Sequence, residues 1–157
     1  MSFLGQRVVP AGALTKVYAS TDTDIPEVGQ VVWDEDGNAY IFGLGVASCA
    51  AGSWVSLDEA AQATLLAADA KGRVGVAMAA ITATNKGYFQ IFGKTTTAKA
   101  ATGFADNGNI YATATAGTID DAVVAGDRVH GAWGRSAVSG GVITAELCFP
   151  YVEDIAD

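Results

Sequence analysis

The stretch from Gly72 to Pro150 constrains the fold more than any other part of the sequence. It consists of short runs in which apolar residues alternate, separated by glycine: GRVGVAMAA, GYFQIFGK, NIYATATAG, DRVHGAWGR and GVITAELCFP. A period of two between turn residues is typical of antiparallel strands. Short, evenly spaced strands indicate a mainly β fold, so the stretch predicts an antiparallel β-barrel or sandwich.

The part before this stretch adds further predicted strands. QVVWD and NAYIFG flank an Asp36-Gly37 turn, and Asp-Gly between two β-prone runs is a strong hairpin signal. A chain of 157 residues suits one domain. We therefore predict an extended N-terminal arm over residues 1–26, a single β-rich domain over 27–150, ending at Pro150, and an acidic tail over 151–157.

One short helix is predicted over about residues 57–70. Ser56 and Glu59 have the spacing of a capping box, and Gly72 suits a helix stop. Apolar residues recur at helical spacing at Leu57, Ala61, Leu65 and Ala68. The alternative interpretation, that ATLLA forms a strand, stays open because short apolar runs suit both structures.

The charge balance limits the classes of partner. The chain has nine Lys+Arg against 17 Asp+Glu, a net charge of −8. Binding to phosphate-rich partners needs a basic patch, and the basic residues are scattered, so we expect neither nucleic-acid nor membrane binding. Acidity favours a basic protein partner instead. Only 17% of residues are charged, against roughly 25% in typical domains, which indicates surface buried against another subunit.

Targeting signals are missing from the sequence. No run approaches the roughly 18 apolar residues of a membrane span. The first ten residues lack the long apolar segment of a signal peptide. We therefore expect synthesis in a cytoplasm.

The residue inventory predicts no enzyme. His130 is the single histidine of the chain. It is either a base oriented by Asp121 or Asp127, or, as we prefer, a strand residue at a surface or interface. Cys49 and Cys148 are far apart in sequence and are expected to be small buried hydrophobes, although a disulfide between them is possible. With so few ligands, we expect neither a metal nor another cofactor.

The three tryptophans permit a different function. Trp33, Trp54 and Trp133 could stack on sugar rings, but each lies in a strand-like run, where a core or interface role is commoner. The apolar N-terminal block is a second candidate for a binding surface. It is either a frayed terminus or, as we prefer, an arm that docks on a neighbour, because its large side chains are costly to leave in water.

The order of the later runs resembles that of capsid decoration or minor structural proteins of tailed bacteriophages. Four motifs are involved: Gly75-Val76-Ala77, Gly87-Tyr88-Phe89 to Gly93, Thr113 to Asp121, and Val129 to Gly131. They match, in order, a G-V-A run, a Y-G-aromatic run, a T-A-T-A-G-x-x-D-D turn and an I/V-x-G strand. The resemblance covers roughly residues 56–152, and GYF in place of YGW is a mild departure.

The resemblance implies a virion protein of the capsid exterior, made in the host cytoplasm. Such a cement protein would bind the major capsid protein, stabilise contacts between capsomers and form a homotrimer. The candidate capsid or subunit interface comprises Phe3, Leu4, Val8, Val9 and Trp133. The alternative function is a carbohydrate-binding or fibre module that recognises host-surface glycans.

Overall fold

Residues 8–155 are described by a computed structural model, and most of their regular structure is β-strand. In chain order, the elements are α1 (Ala11–Leu14), β1 (Val31–Trp33), β2 (Ala39–Leu44), β3 (Trp54–Leu57), β4 (Ala63–Leu65), β5 (Gly72–Ala77), β6 (Lys86–Lys99), β7 (Asn109–Ala112), β8 (Ile119–Asp120), β9 (Arg128–Gly134) and β10 (Val142–Val152). The prediction of a mainly β, antiparallel fold is confirmed.

The strands form a sheet in the order β1-β2-β6-β5-β10-β9-β7-β8, and β3 pairs with both β4 and β5. β6 unites two runs that alternate separately in the sequence. Its residues 86–92 pair with β2, and residues 92–99 pair with β10. Over residues 8–155 the sheet is not closed into a barrel, whereas a sandwich is compatible with it.

The helix predicted over residues 57–70 is wrong, and the alternative strand interpretation is correct. β3 and β4 form a hairpin in this segment and pair from Val55↔Leu65 to Leu57↔Ala63. The Asp58 side chain accepts hydrogen bonds from the backbone N–H groups of Ala60 and Gln62, at 2.9 and 2.8 Å, which closes the turn. β3 also pairs with β5, so sheet pairing overrides the local helical spacing.

Three clusters of buried apolar side chains hold the described residues together. The first contains Trp54, whose indole Nε1 donates a hydrogen bond to the carbonyl oxygen of Lys99 at 3.0 Å. The second is centred on β2, β3 and the first half of β6. The third places Tyr18 against Phe42 and Tyr88, with ring centroids 5.3 and 6.4 Å apart. β2 contributes side chains to both the second and the third cluster, so both of its faces are buried.

The described part of the N-terminal block lies against the sheet of the same chain. Val8 forms a parallel bridge with Trp33, and the Val9 N–H donates to the Trp33 carbonyl oxygen at 2.9 Å. Tyr18 then bridges Lys86. Val9 is buried within the third cluster. Docking of this block on a neighbouring subunit therefore stays a prediction, and its described apolar residues are already partly covered.

The last strand continues beyond Pro150, the residue expected to end it. β10 extends to Val152, and its pairing with β9 shifts register between Leu147 and Tyr151. Proline has no backbone N–H for the ladder, but a bulge needs no donor at every position. The first two residues assigned to an acidic tail thus belong to the sheet.

Candidate functional site

Three aromatic side chains from distant parts of the sequence form a row of ring contacts. Trp33 lies 5.6 Å from Phe92, and Phe92 lies 5.2 Å from Phe149, between ring centroids. Strand register creates this aromatic row, because Trp33 pairs with Ala39, Ala39 with Phe92, and Phe92 with Cys148. Trp33 and Phe92 are partly buried against the second cluster, whereas Phe149 is 51% exposed. The aromatic row (Trp33, Phe92 and Phe149) is therefore open to a partner at its Phe149 end.

Further exposed apolar side chains occur on the elements that carry the aromatic row. Val8 is exposed and bridges Trp33. On β10, Tyr151 is exposed and its ring stacks on that of His130, with centroids 5.2 Å apart. His130 also borders a cavity of about 380 Å³. Exposed apolar residues line that cavity: Val123, Val124 and Ile155. Apolar patches on a protein surface often mark interaction sites.

A groove with charged walls lies beside the aromatic row. It has a volume of about 680 Å³, and its lining includes Phe92, Lys94, Arg135, Glu146 and Cys148. Arg135 Nε and Glu146 Oε2 form an exposed ion pair at 2.8 Å. Both signs of charge and an aromatic wall thus meet within one groove.

The turn between β1 and β2 supports this groove through the Asp34 carboxylate. Asp34 accepts hydrogen bonds from the backbone N–H groups of Asp36 and Asn38, the Asn38 amide and the Tyr40 hydroxyl, at 2.8–2.9 Å. Burial alone would raise the pKa of Asp34, but these hydrogen bonds together hold it below the ordinary value. Asn38 Oδ1 in turn accepts the Lys94 N–H at 3.1 Å. The hydrogen bonds thereby tie the turn to β6.

Burial and the same carboxylate shift the tyrosine in the opposite direction. Burial raises the pKa of Tyr40, and the neighbouring Asp34 carboxylate adds to the effect. The Tyr40 hydroxyl therefore stays protonated and keeps donating to Asp34. This turn is a fixed structural unit and not a titrating one near neutrality.

The predicted interface residues divide into three groups. Val8 and Trp133 are exposed, at 57% and 36%. Trp133 pairs in register with Glu146, and the Arg135 guanidinium carbon lies 6.0 Å from its ring centroid. Val9 is buried within its own chain. Phe3 and Leu4 lie outside the described residues.

His130, considered as a catalytic base, and Trp54, considered as a sugar-stacking residue, both have other surroundings in the structure. His130 makes a ring contact with Tyr151, whereas Asp127 accepts the Asp69 N–H and Asp121 accepts the Ala105 N–H. Within residues 8–155, no hydrogen bond joins His130 to either carboxylate. Trp54 is fully buried, so it cannot stack on a sugar ring.

The two cysteines differ in environment. Cys49 is buried, as predicted, and burial raises the pKa of its thiol. Cys148 is exposed, contrary to prediction, and lines the groove. Both thiols are free, so the possible disulfide between these two described residues is not formed.

Phe149 is the main site residue that the sequence pattern misassigned. Alternation places it on the inward face with Ile143, Ala145 and Leu147, but the bulge in β10 turns it outward. The available signal was Pro150, because proline inside a strand favours a bulge.

Two other kinds of site are absent from the described part of the chain. Residues 8–155 contain no cluster of three or more His, Cys, Asp or Glu side chains that could hold a metal ion. In the same residues, no helix is long and apolar enough to cross a membrane. The chain matches no protein-family model, no curated protein and no solved structure.

Proposed function

We propose that this chain is a structural virion protein that binds the outer surface of an assembled phage capsid and stabilises contacts between capsomers. The observation that supports this proposal most is the aromatic row with its exposed Phe149, which is followed along β10 by the exposed Tyr151. The sequence resemblance to capsid decoration proteins points to the same class. The proposed partners are the major capsid protein and further copies of this chain in a homotrimer.

The aromatic row suits a binding role better than a catalytic one. Aromatic side chains contribute large contact areas and dominate the energetics of many protein interfaces. Trp33 and Phe92 pack partly against the second cluster, whereas Phe149 is 51% exposed and belongs to none of the three clusters. The exposure of Phe149 is therefore explained most simply by a partner that covers it.

Repetition and charge complete the physical case for a capsid lattice. Many copies on a repeating lattice can give high avidity without any single tight site. The net charge of −8 favours a basic partner and keeps unbound trimers apart. A protein of this kind would remain soluble until it meets an assembled shell.

Sedimentation with capsids tests the proposal. We expect the purified chain to pellet with capsids built from the major capsid protein encoded beside it, saturating at a fixed number of copies per capsomer. The loaded capsids should also melt at a higher temperature than bare capsids. Unassembled capsid protein is the matched control, and it should bind more weakly because it lacks the lattice. Absence of pelleting with intact capsids would contradict the proposal.

The groove beside the aromatic row favours a second candidate, recognition of host-surface glycans. Its aromatic wall and its Arg135–Glu146 pair could contact a sugar ring and its hydroxyl groups. Trp54 plays no part in this alternative. Glycan binding that is lost on Arg135→Ala, together with no capsid binding, would favour it over the capsid proposal.

A further inference from the structure

The backbone of Phe149 differs from that of the other residues with a left-handed conformation. Among residues 8–155, the non-glycine residues with positive φ are Ser48, Ala61, Asp69, Thr84, Asn107, Phe149 and Asp154. Phe149, with φ of +48°, is the one aromatic residue in this described set and the one that lies inside a strand. This conformation is strained for a bulky side chain, and strain of this kind concentrates at functional sites.

The surrounding structure fixes Phe149 in this conformation. Between the pairs Leu147↔Ala132 and Tyr151↔His130, β10 has three residues where β9 has only Gly131. Gly131 has φ of +71°, and a Cβ there would lie 2.7 Å from the Cys148 carbonyl oxygen. Glycine thus allows β9 to approach the bulge closely. On the other side, the Phe92 ring supports the Phe149 ring.

The exposed ring is held in place before any partner arrives. Its backbone is constrained by the bulge and by the following proline, whose own φ is fixed. A side chain ordered in advance loses little conformational entropy on binding. Such a side chain suits a binding hot spot, a residue that fills a pocket on the partner and contributes much of the binding energy.

We infer that Phe149 is the anchor of the aromatic row, inserting into an apolar pocket on a net-basic protein surface. The inference rests on the proposed function and names the residue that would dominate binding. The ring is strained and half-exposed in the free chain, and covering it on the partner would offset the cost of presenting it.

The net charge of the whole chain determines which occupant fits. The charged side chains that line the groove beside the aromatic row are balanced, with Asp36 and Glu146 against Lys94 and Arg135, but the chain as a whole carries a net charge of −8. A second copy of this chain would bring the same net negative charge to the contact. Like charges across an interface disfavour association, and opposite charges speed it. A basic surface is therefore the complementary occupant.

The test compares Phe149→Gly with Ile155→Ala in the capsid-binding assay. Glycine adopts the left-handed backbone without strain, so the bulge is kept while the ring is removed. We expect Phe149→Gly to weaken capsid binding by about 30-fold or more, the scale of a hot spot. Its urea midpoint should stay close to that of the wild type. Ile155 is 60% exposed and lines the cavity that His130 borders, and its substitution should weaken binding by less than about threefold.

Four outcomes would overturn the inference, and the first of them would also overturn the proposed function. If the wild-type chain does not bind capsids, the proposed function falls and the inference falls with it. Equal binding by the wild type and Phe149→Gly overturns the inference alone. Loss of self-association in Phe149→Gly, measured by light scattering, would make a second copy the occupant. An association rate that does not fall with added salt would contradict the basic partner.

Discussion

Trp54 and Trp133 lie on strands of the same sheet, but one is fully buried and the other is 36% exposed. Trp54 lies in an apolar cluster and donates its indole N–H to Lys99. Trp133 faces Glu146 and Arg135 on the outer face. Both occur in short alternating runs, so the run alone does not determine the environment. The contrast separates aromatic residues that stabilise the fold from those available to a partner.

The largest effect is expected from Trp54→Ala. Removing this ring leaves a cavity in the first cluster, and we expect the free energy of unfolding to fall by about 3–5 kcal/mol. Urea denaturation followed by circular dichroism measures the loss. Trp54→Phe is the control, since it keeps much of the volume and loses the hydrogen bond to Lys99. A loss below about 1 kcal/mol for Trp54→Ala would contradict the assignment of Trp54 to the residues that stabilise the fold.

An intermediate effect is expected at Asp34, which supports the groove through hydrogen bonds and not through burial. Asp34→Asn should lower the free energy of unfolding by about 2 kcal/mol near pH 7, because an amide replaces a carboxylate that accepts several hydrogen bonds. Urea midpoints of the two proteins at a series of pH values measure the difference.

The difference in stability between the wild type and Asp34→Asn should become smaller at low pH. Asp34 has a folded pKa below its ordinary value of 3.8. Its stabilisation is therefore fully present above that value and is lost as the pH falls through the lowered folded pKa. We expect the gap between the wild type and Asp34→Asn to narrow below pH 4. A gap that stays constant down to pH 2 would exclude the carboxylate as its cause.

The smallest effect is expected from Trp133→Ala, which makes the comparison with Trp54 direct. The exposed ring contributes little to folding, so the free energy of unfolding should change by less than about 1 kcal/mol. Differential scanning calorimetry gives the two melting temperatures. If this substitution destabilises the protein as much as Trp54→Ala, exposure does not distinguish the two tryptophans.

The sequence was sufficient for the strand-rich fold because period two is a local property. The runs around Val76, Phe89 and Leu147 all became strands. Local signals failed where pairing partners decide the outcome. Ser56 and Glu59 have helix-capping spacing, yet Asp58 closes a hairpin that pairs with β5.

The aromatic row could not be predicted from the sequence, for a related physical reason. Trp33, Phe92 and Phe149 meet through the register of four strands, and no local spacing encodes that register. The direction of Phe149 depends on the bulge opposite Gly131, where β10 has more residues than β9. Of the predicted interface residues, Val8 and Trp133 are exposed and their role stays a prediction, whereas Val9 is covered within its own chain.

The position of β10 in the sheet has a consequence for biosynthesis. β10 follows the other described strands in the chain but pairs with β5, β6 and β9. These three strands therefore wait with unpaired edges until residues 142–152 have left the ribosome. Such edges recruit other chains, and sheets built from distant segments form slowly. The nascent chain is thus most prone to aggregation just before its synthesis reaches β10.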